Sequence, residues 1–195
     1  ICPSDSGGDE AIDESGGRWH NQSLLDSTGE MRWDPCAFGP ESYNYLSWAM
    51  IGTPGRDYLA PGADANDIGV ATAPNPIPQY LNPAFFTPLI TLVAQVAFGM
   101  SDYDKDITGQ GIETIYRMRD GVERFFVTDI NNPAGSALAQ SSLPVLFDTV
   151  STVSSNFNHV PGGSNVLYLD GHVAFLKYPS KFPATRAYAR LTSLF

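Results

Sequence analysis

The amino-acid sequence predicts an α+β domain: an antiparallel sheet with a C-terminal β-hairpin packed on one or two helices, joined by long irregular loops. Two runs rich in β-branched and aromatic residues, 165–169 and 172–178, flank Asp170-Gly171, a dipeptide that favours a tight hairpin turn. An uncharged apolar segment, 87–98, opens with Thr-Pro, which is a helix start signal. Frequent proline and glycine elsewhere predict the loops.

The hairpin sequence predicts which residues share a face. A two-residue type I′ turn pairs Leu169 with His172. One face then carries Val166, Tyr168, Val173 and Phe175, and the other carries Leu167, Leu169, Ala174, Leu176 and Tyr178. Because neither face is polar, we expect both to be covered, by the chain's own core, by a neighbouring subunit, or by both.

The apolar segment predicts a buried helix from Pro88 to about Phe98. Apolar side chains lie on nearly all sides of this predicted helix. The helix is also well short of the ~20 residues that span a bilayer. We therefore expect a core helix, with a subunit interface as the alternative.

The remaining elements follow from shorter patterns. We expect strands at 42–51 and 143–150, the second with Pro144 at its start. Segment 112–126 fits a helix, or a strand followed by a helix, because a glycine interrupts its periodicity. Residues 186–194 predict a short helix or an extended arm.

Length and composition limit the class of protein. The 195 residues fit one domain, 1–195. Within it we distinguish an irregular, cysteine-pinned segment, 1–42, and an uncharged loop plus buried helix, 68–101. Charged residues make up only 16% of the chain against 43% hydrophobic ones, which is unusual for a free cytosolic protein. We expect an exported, extracellular or cell-surface protein.

The charge balance excludes one class of partner. The net charge is −10, and Lys105, Lys177 and Lys181 are the only lysines. Such a chain repels phosphate backbones, so we expect no nucleic-acid binding. The excess of acidic side chains favours the binding of divalent cations. Alternatively, these side chains keep an exported protein soluble.

The two cysteines and one sequon fit an exported chain. Cys2 and Cys36 predict one disulfide; two unrelated thiols are the alternative. Asn21 begins the single Asn-x-Ser sequon and is a candidate glycosylation site.

An acidic window is a candidate metal site. Oxygen-bearing side chains stand at positions 1, 3, 5, 7 and 12 of this window, as a structural Ca²⁺ requires. They are Asp102, Asp104, Asp106, Thr108 and Glu113. The sixth position is Ile107 where a calcium loop has glycine, so an unliganded acidic loop is the alternative.

The C-terminal third resembles a known family. His159, the following Pro-Gly-Gly and Asn-Val-Leu, and Asp170-Gly171 are similar to the C-terminal signature of bacterial prepilin-type, pseudopilin-like proteins, including the major pseudopilins of type II secretion. That signature places nine residues between His and Asp-Gly, whereas this chain has ten. The resemblance covers 112–185. Within this range the segments 114–125, 128–134 and 144–149 are also similar to segments of the same family. It implies a pilin-like globular domain; major pseudopilins also use bound calcium to fix a loop.

The family also carries a basic leader and a long apolar methylation helix that anchors in the membrane and packs in the filament core. This sequence opens on Ile1 without them. We expect the distal part of a longer precursor, or a relative that assembles by other contacts, and membrane association only through such a helix.

The resemblance implies a structural subunit of an extracellular filament or pseudopilus that polymerises with itself and with other pilin-like subunits. His159, Asp170 and Gly171 then have a structural role, with His159 fixing the loop onto the hairpin. No nucleophile elbow or phosphate-binding loop is present in the sequence, so we expect no enzyme. A surface carbohydrate-binding module is the alternative, because three tryptophans and nine tyrosines offer rings for stacking on sugars.

Overall fold

The computed structural model describes residues 10, 12–13, 17, 19–33, 42–98, 104–126, 139–153, 157–159 and 162–193. The α+β prediction is confirmed. The strands are β1 (His20–Leu25), β2 (Met31–Trp33), β3 (Tyr43–Tyr45), β4 (Pro144–Asp148), β5 (Gly163–Tyr168) and β6 (Val173–Lys177). The helices are α1 (Gly69–Thr72), α2 (Pro83–Ala97), a 3-10 helix (Val122–Phe126) and α3 (Arg186–Thr192).

Four strands form an antiparallel sheet in the order β3-β4-β5-β6. One row of paired residues crosses the whole sheet. Asn44 pairs with Phe147, Phe147 pairs with Val166, and Val166 pairs with Ala174 in β6. The expected strand 143–150 corresponds to β4, with Pro144 at its start. From the expected strand 42–51 only the three residues of β3 pair in the sheet.

The N-terminal segment, expected to be irregular, contains a separate two-stranded sheet, β1-β2. Its turn is built around Asp26, whose Oδ1 accepts hydrogen bonds from Thr28 N at 2.8 Å and Glu30 N at 3.0 Å. Gly29 adopts a φ of 87°, which suits glycine. β1 is rich in polar residues with low strand propensity, and a turn held by side chains compensates for that.

The C-terminal hairpin exists, but its predicted register is wrong by one residue. Leu167 pairs with Val173, so three residues, 169–171, form the loop. Gly171 alone has positive φ, at 88°, and its N–H donates to Tyr168 O at 2.9 Å. This is a type I turn followed by a left-handed glycine, which leaves Asp170 in an ordinary conformation; a type I′ turn would strain it.

The corrected register also changes the expected burial. Val166, Ala174 and Leu176 now share the inner face, while Val173 and Phe175 lie on the opposite face. The chain's own core therefore covers one side of the hairpin, and Val173 and Phe175 are exposed. Among the residues that the structure describes, the expectation that both sides are covered does not hold.

Helix α2 begins five residues earlier than predicted and is not buried on all sides. Asn82 Oδ1 accepts a hydrogen bond from Ala84 N at 3.0 Å, and Pro83 is the first helical residue. The same start signal thus operates at Asn-Pro instead of Thr-Pro. Phe85 is buried, whereas Ile90 is 57% exposed. No helix within the described ranges is long and apolar enough to cross a bilayer.

Aromatic rings hold α3 against the rest of the core. The Tyr188 ring lies 5.7 Å from Tyr58, 5.5 Å from Phe147 and 5.1 Å from Phe182, in edge-to-face contacts. Thr185 caps the helix, because its Oγ1 accepts from Tyr188 N at 3.1 Å. Of the segment predicted as a short helix or an extended arm, residues 186–192 are therefore helical, and they stabilise the inner side of β4.

Asp57 is a buried carboxylate that closes a loop on this core. It is 2% exposed, and its Oδ2 accepts from Ile51 N at 3.1 Å and from Gly52 N at 2.8 Å. Burial raises the pKa of the Asp57 carboxyl above its ordinary value of 3.8, and the backbone donors oppose that rise.

This burial predicts a pH dependence of stability. A carboxyl whose pKa is raised on folding contributes stability that is complete below the unfolded pKa and is lost as the pH rises through the folded pKa. Asp57→Asn retains an oxygen acceptor but does not titrate. In denaturant titrations from below pH 3.8 to about pH 7, we expect wild type to lose stability relative to this variant. A constant difference, or one of opposite sign, would contradict the assignment.

Candidate functional site

One face of the four-stranded sheet is only partly covered by the described chain. Directly paired residues of an antiparallel sheet lie on the same face, so the register defines this surface. We call it the outer face; its residues are Tyr43, Tyr45, Leu146, Asp148, Gly163, Asn165, Leu167, Val173, Phe175 and Lys177.

Large apolar side chains dominate the exposed part of the outer face. Val173 is 62% exposed, Phe175 58%, Tyr45 58% and Tyr43 38%. They stand on the two edge strands, β3 and β6. Side chains of this size on one sheet face are typical of a contact surface.

The charges of the outer face differ from those of the whole chain. Two of its side chains carry a charge at neutral pH: Asp148, which is only 2% exposed, and Lys177, which is exposed. No exposed carboxylate therefore stands on the outer face as defined, although the chain carries a net charge of −10.

The centre of the outer face is a hydrogen-bonded cluster of Asp148, Asn165 and His159. Asp148 Oδ2 accepts from Asn165 N at 2.7 Å and from Asn165 Nδ2 at 2.9 Å. His159 Nε2 lies 3.0 Å from the same oxygen. This cluster fixes the loop before β5 onto β4 and β5, since His159 also forms a β-bridge with Gly163.

Gly163, the second glycine of the Pro-Gly-Gly segment, allows Phe175 to lie flat across β5. A Cβ at Gly163 would collide with the Phe175 ring and would stand 2.9 Å from Leu176 O. The Phe175 ring also approaches the His159 ring edge-on, with centroids 6.4 Å apart. The glycine, the histidine and the exposed phenylalanine therefore form one packed unit.

The hairpin tip contains a second Asp-His pair. Asp170 Oδ1 accepts from His172 N at 3.1 Å and lies 2.6 Å from His172 Nδ1. That side-chain hydrogen bond, before any other cause, holds the pKa of the Asp170 carboxyl below its usual range. The His172 ring stacks on Tyr168 with centroids 4.4 Å apart. These contacts fix the turn whose left-handed position Gly171 occupies.

His159 and Asp148 form the histidine–carboxylate pair of a catalytic triad, which also needs a nucleophile bonded to the histidine. Ser164 precedes Asn165 in the sequence and is the nearest serine along the chain to that residue. It is fully buried, however, and its Oγ donates a hydrogen bond to Asp148 O at 3.1 Å. Asp148 therefore serves as a shared acceptor. The arrangement is suited to holding a loop.

The described part of the acidic window lies in and just before a hairpin-like turn between residues 107 and 115. Ile107 and Ile115 exchange two backbone hydrogen bonds of 2.9 Å. Asp106 Oδ1 accepts from Arg117 N at 2.7 Å, and Glu113 lies 3.1 Å from Arg56 Nε. These residues are thus partnered by arginine side chains or backbone.

The other candidate ligands of this window are placed as follows. Asp104 and Thr108 are exposed, and Asp102 lies outside the described residues. Among the residues that the structure describes, no three His, Cys, Asp or Glu side chains come together as metal ligands. Structural calcium remains a prediction.

Several other predicted sites have a definite place. Cys2 and Cys36 lie outside the described residues, and the backbone of Asn21 lies in β1. Trp48 Nε1 donates to Lys105 O at 2.9 Å, and the Arg117 guanidinium lies over its ring at 5.3 Å. A sugar would have to compete with Arg117 for the face of Trp48.

The sequence interpretation missed Asp148 and Asn165 as partners of His159. One signal was available: Asp148 ends the apolar run Pro-Val-Leu-Phe, and a carboxylate that completes a buried strand needs donors nearby. The donor Asn165 stands in the signature segment itself, but its pairing with Asp148 depends on the β4-β5 register.

Comparison with known proteins finds no counterpart for this chain. No family model matches it, and neither a search of curated proteins nor a search of solved structures finds a match.

Proposed function

We propose that this protein is a structural subunit that assembles with copies of itself into an extracellular filament or pseudopilus. The observation that carries the proposal is the outer face of the four-stranded sheet. The sequence signature that resembles pseudopilins, from His159 to Gly171, builds much of this face and its supporting loop.

The physical case for self-association combines apolar area with charge. Burying Val173 and Phe175, each more than half exposed, removes apolar surface from water at about 25 cal/mol per Å². Two acidic chains repel each other at most surfaces, but on the outer face Asp148 is buried and Lys177 is the exposed charge. Copies can therefore meet there with little like-charge repulsion between carboxylates.

The supporting cluster prepares this surface before association. His159, Asp148 and Asn165 fix the loop, and Gly163 seats the Phe175 ring. Little side-chain freedom then remains to be lost when copies meet, which lowers the entropic cost of association.

Phe175→Lys tests the proposal in solution. Burial of a phenylalanine side chain is worth about 1.5–3 kcal/mol, so we expect the dissociation constant for self-association to rise at least about tenfold. Sedimentation velocity over a dilution series measures it. Phe175 is 58% exposed in the single subunit but also packs on Gly163 and His159, so we expect a modest fall in the unfolding midpoint, and association is measured well below that midpoint.

Ile90→Lys is the matched control, because Ile90 on α2 is 57% exposed, close to the 58% of Phe175. We expect this variant to associate like wild type. Loss of association in Ile90→Lys with retention in Phe175→Lys would place the contact on α2 and contradict our assignment. Wild-type protein that stays monomeric at millimolar concentration would contradict self-assembly itself.

A further inference from the structure

A groove separate from the outer face runs between α2 and the loop 105–110. Its volume is about 580 Å³. Small-molecule sites typically enclose about 300–1,000 Å³, so the groove has the size for an organic ligand.

The helix wall of the groove presents uncharged hydrogen-bonding groups one turn apart. Thr87, Thr91 and Gln95 recur at a spacing of four residues, and all three are exposed. Thr91 Oγ1 donates to Thr87 O at 2.7 Å, and Thr87 Oγ1 donates to Pro83 O at 3.2 Å. Both hydroxyl oxygens therefore keep acceptor capacity, while the Gln95 amide both donates and accepts.

The opposite wall is fixed by contacts outside the groove. Trp48 Nε1 holds Lys105 O at 2.9 Å, and Ile107 pairs with Ile115. At Gly109 the loop approaches the helix so closely that a Cβ would stand 3.1 Å from Pro88 Cγ. The wall is thus in position before any ligand binds, which lowers the entropic cost of binding.

The charges of the groove indicate the ligand. Asp106 Oδ2 lies 3.1 Å from Arg119 Nη2, and its Oδ1 accepts from Arg117 N, so its charge is compensated within the chain. Lys105 is exposed and belongs to no ion pair among those found in the described residues. A polyphosphate would need more than one cation, and the net charge of −10 opposes it.

We propose that this groove binds a sugar acid of hexuronate size. One ligand carboxylate pairs with the Lys105 ammonium, and ring hydroxyls bond the Thr91 hydroxyl and the Gln95 amide. The apolar C–H face of the ring lies on the strip that Pro88, Leu92 and Ile107 provide. The ligand touches neither Trp48, whose ring lies outside the groove, nor the outer face.

Isothermal titration with glucuronate, and with glucose as its uncharged analogue, tests this proposal. The Phe175→Lys variant serves as the background, so that the result is independent of assembly. We expect glucuronate to bind at least about tenfold more tightly than glucose, because the carboxylate adds a charge-assisted hydrogen bond. Lys105→Gln should remove this preference, and Thr91→Val should weaken binding of both sugars.

Thr72→Val is the matched control, because the Thr72 hydroxyl also donates to a carbonyl of its own helix, Gly69 O, but lies outside the groove. It should bind both sugars as the background protein does. The proposal is overturned if neither sugar releases or absorbs heat up to about 10 mM, if glucose binds as tightly as glucuronate, or if Lys105→Gln keeps the preference.

Discussion

Asp148→Ala should lower the free energy of unfolding by about 2–4 kcal/mol, although it removes only a small side chain. Three donor groups converge on Asp148 Oδ2 within 3.0 Å, two from Asn165 and one from His159. The variant leaves them beside a site that is 2% exposed, where water cannot replace the carboxylate fully. Urea denaturation of wild type and variant at neutral pH measures the loss.

Asp26→Ala is the control for this prediction. The Asp26 carboxylate also accepts three hydrogen bonds, from Thr28 N, Thr28 Oγ1 and Glu30 N. These bonds are exposed, so water replaces the carboxylate and the loss of stability should be much smaller. Equal losses in the two variants would show that burial does not give the Asp148 cluster its strength.

Tyr188→Ala should produce the largest loss of stability, about 3–5 kcal/mol. Tyr188 is 6% exposed, and its ring meets the rings of Tyr58, Phe147 and Phe182. Truncation leaves a cavity between α3 and the inner side of the sheet. Against a typical total stability of about 5–15 kcal/mol, we expect a large drop in the thermal unfolding midpoint, measured by circular dichroism.

Tyr188→Phe separates ring packing from the hydroxyl. Because it keeps the ring, we expect its unfolding midpoint to lie close to that of wild type. If Tyr188→Phe were as unstable as Tyr188→Ala, the hydroxyl and not the aromatic contacts would carry the stability of α3.

The fold class was predictable because the residues that begin and end strands and helices act on their immediate neighbours in the sequence. Pro144 at a strand start and Asp170-Gly171 between two apolar runs each mark a boundary. The register of the hairpin was not predictable in the same way. Asp-Gly suits both a two-residue and a three-residue loop, and the packing of Val166 and Leu176 on the core favours the three-residue loop.

The candidate site was predictable only in part for the same reason. His159 and Gly171 stand out in the sequence, but their partners come from pairing between distant strands. Asp148 is 17 residues before Asn165 and meets it only through the β4-β5 register. The start of α2 was misplaced because Asn82-Pro83 and Thr87-Pro88 carry the same signal, and only the buried contacts of Asn82 distinguish them.

Photo-crosslinking from position 175 tests the central claim most directly. Phe175 is replaced by benzoylphenylalanine, and subunits labelled with heavy and light isotopes are mixed, assembled and irradiated. Mass spectrometry then separates links between copies from links within one copy. Our account predicts heavy-light links from position 175 to outer-face residues such as Tyr43, Tyr45 and Val173 of another copy. Links only within a copy, or links between copies that reach other surfaces, would contradict it.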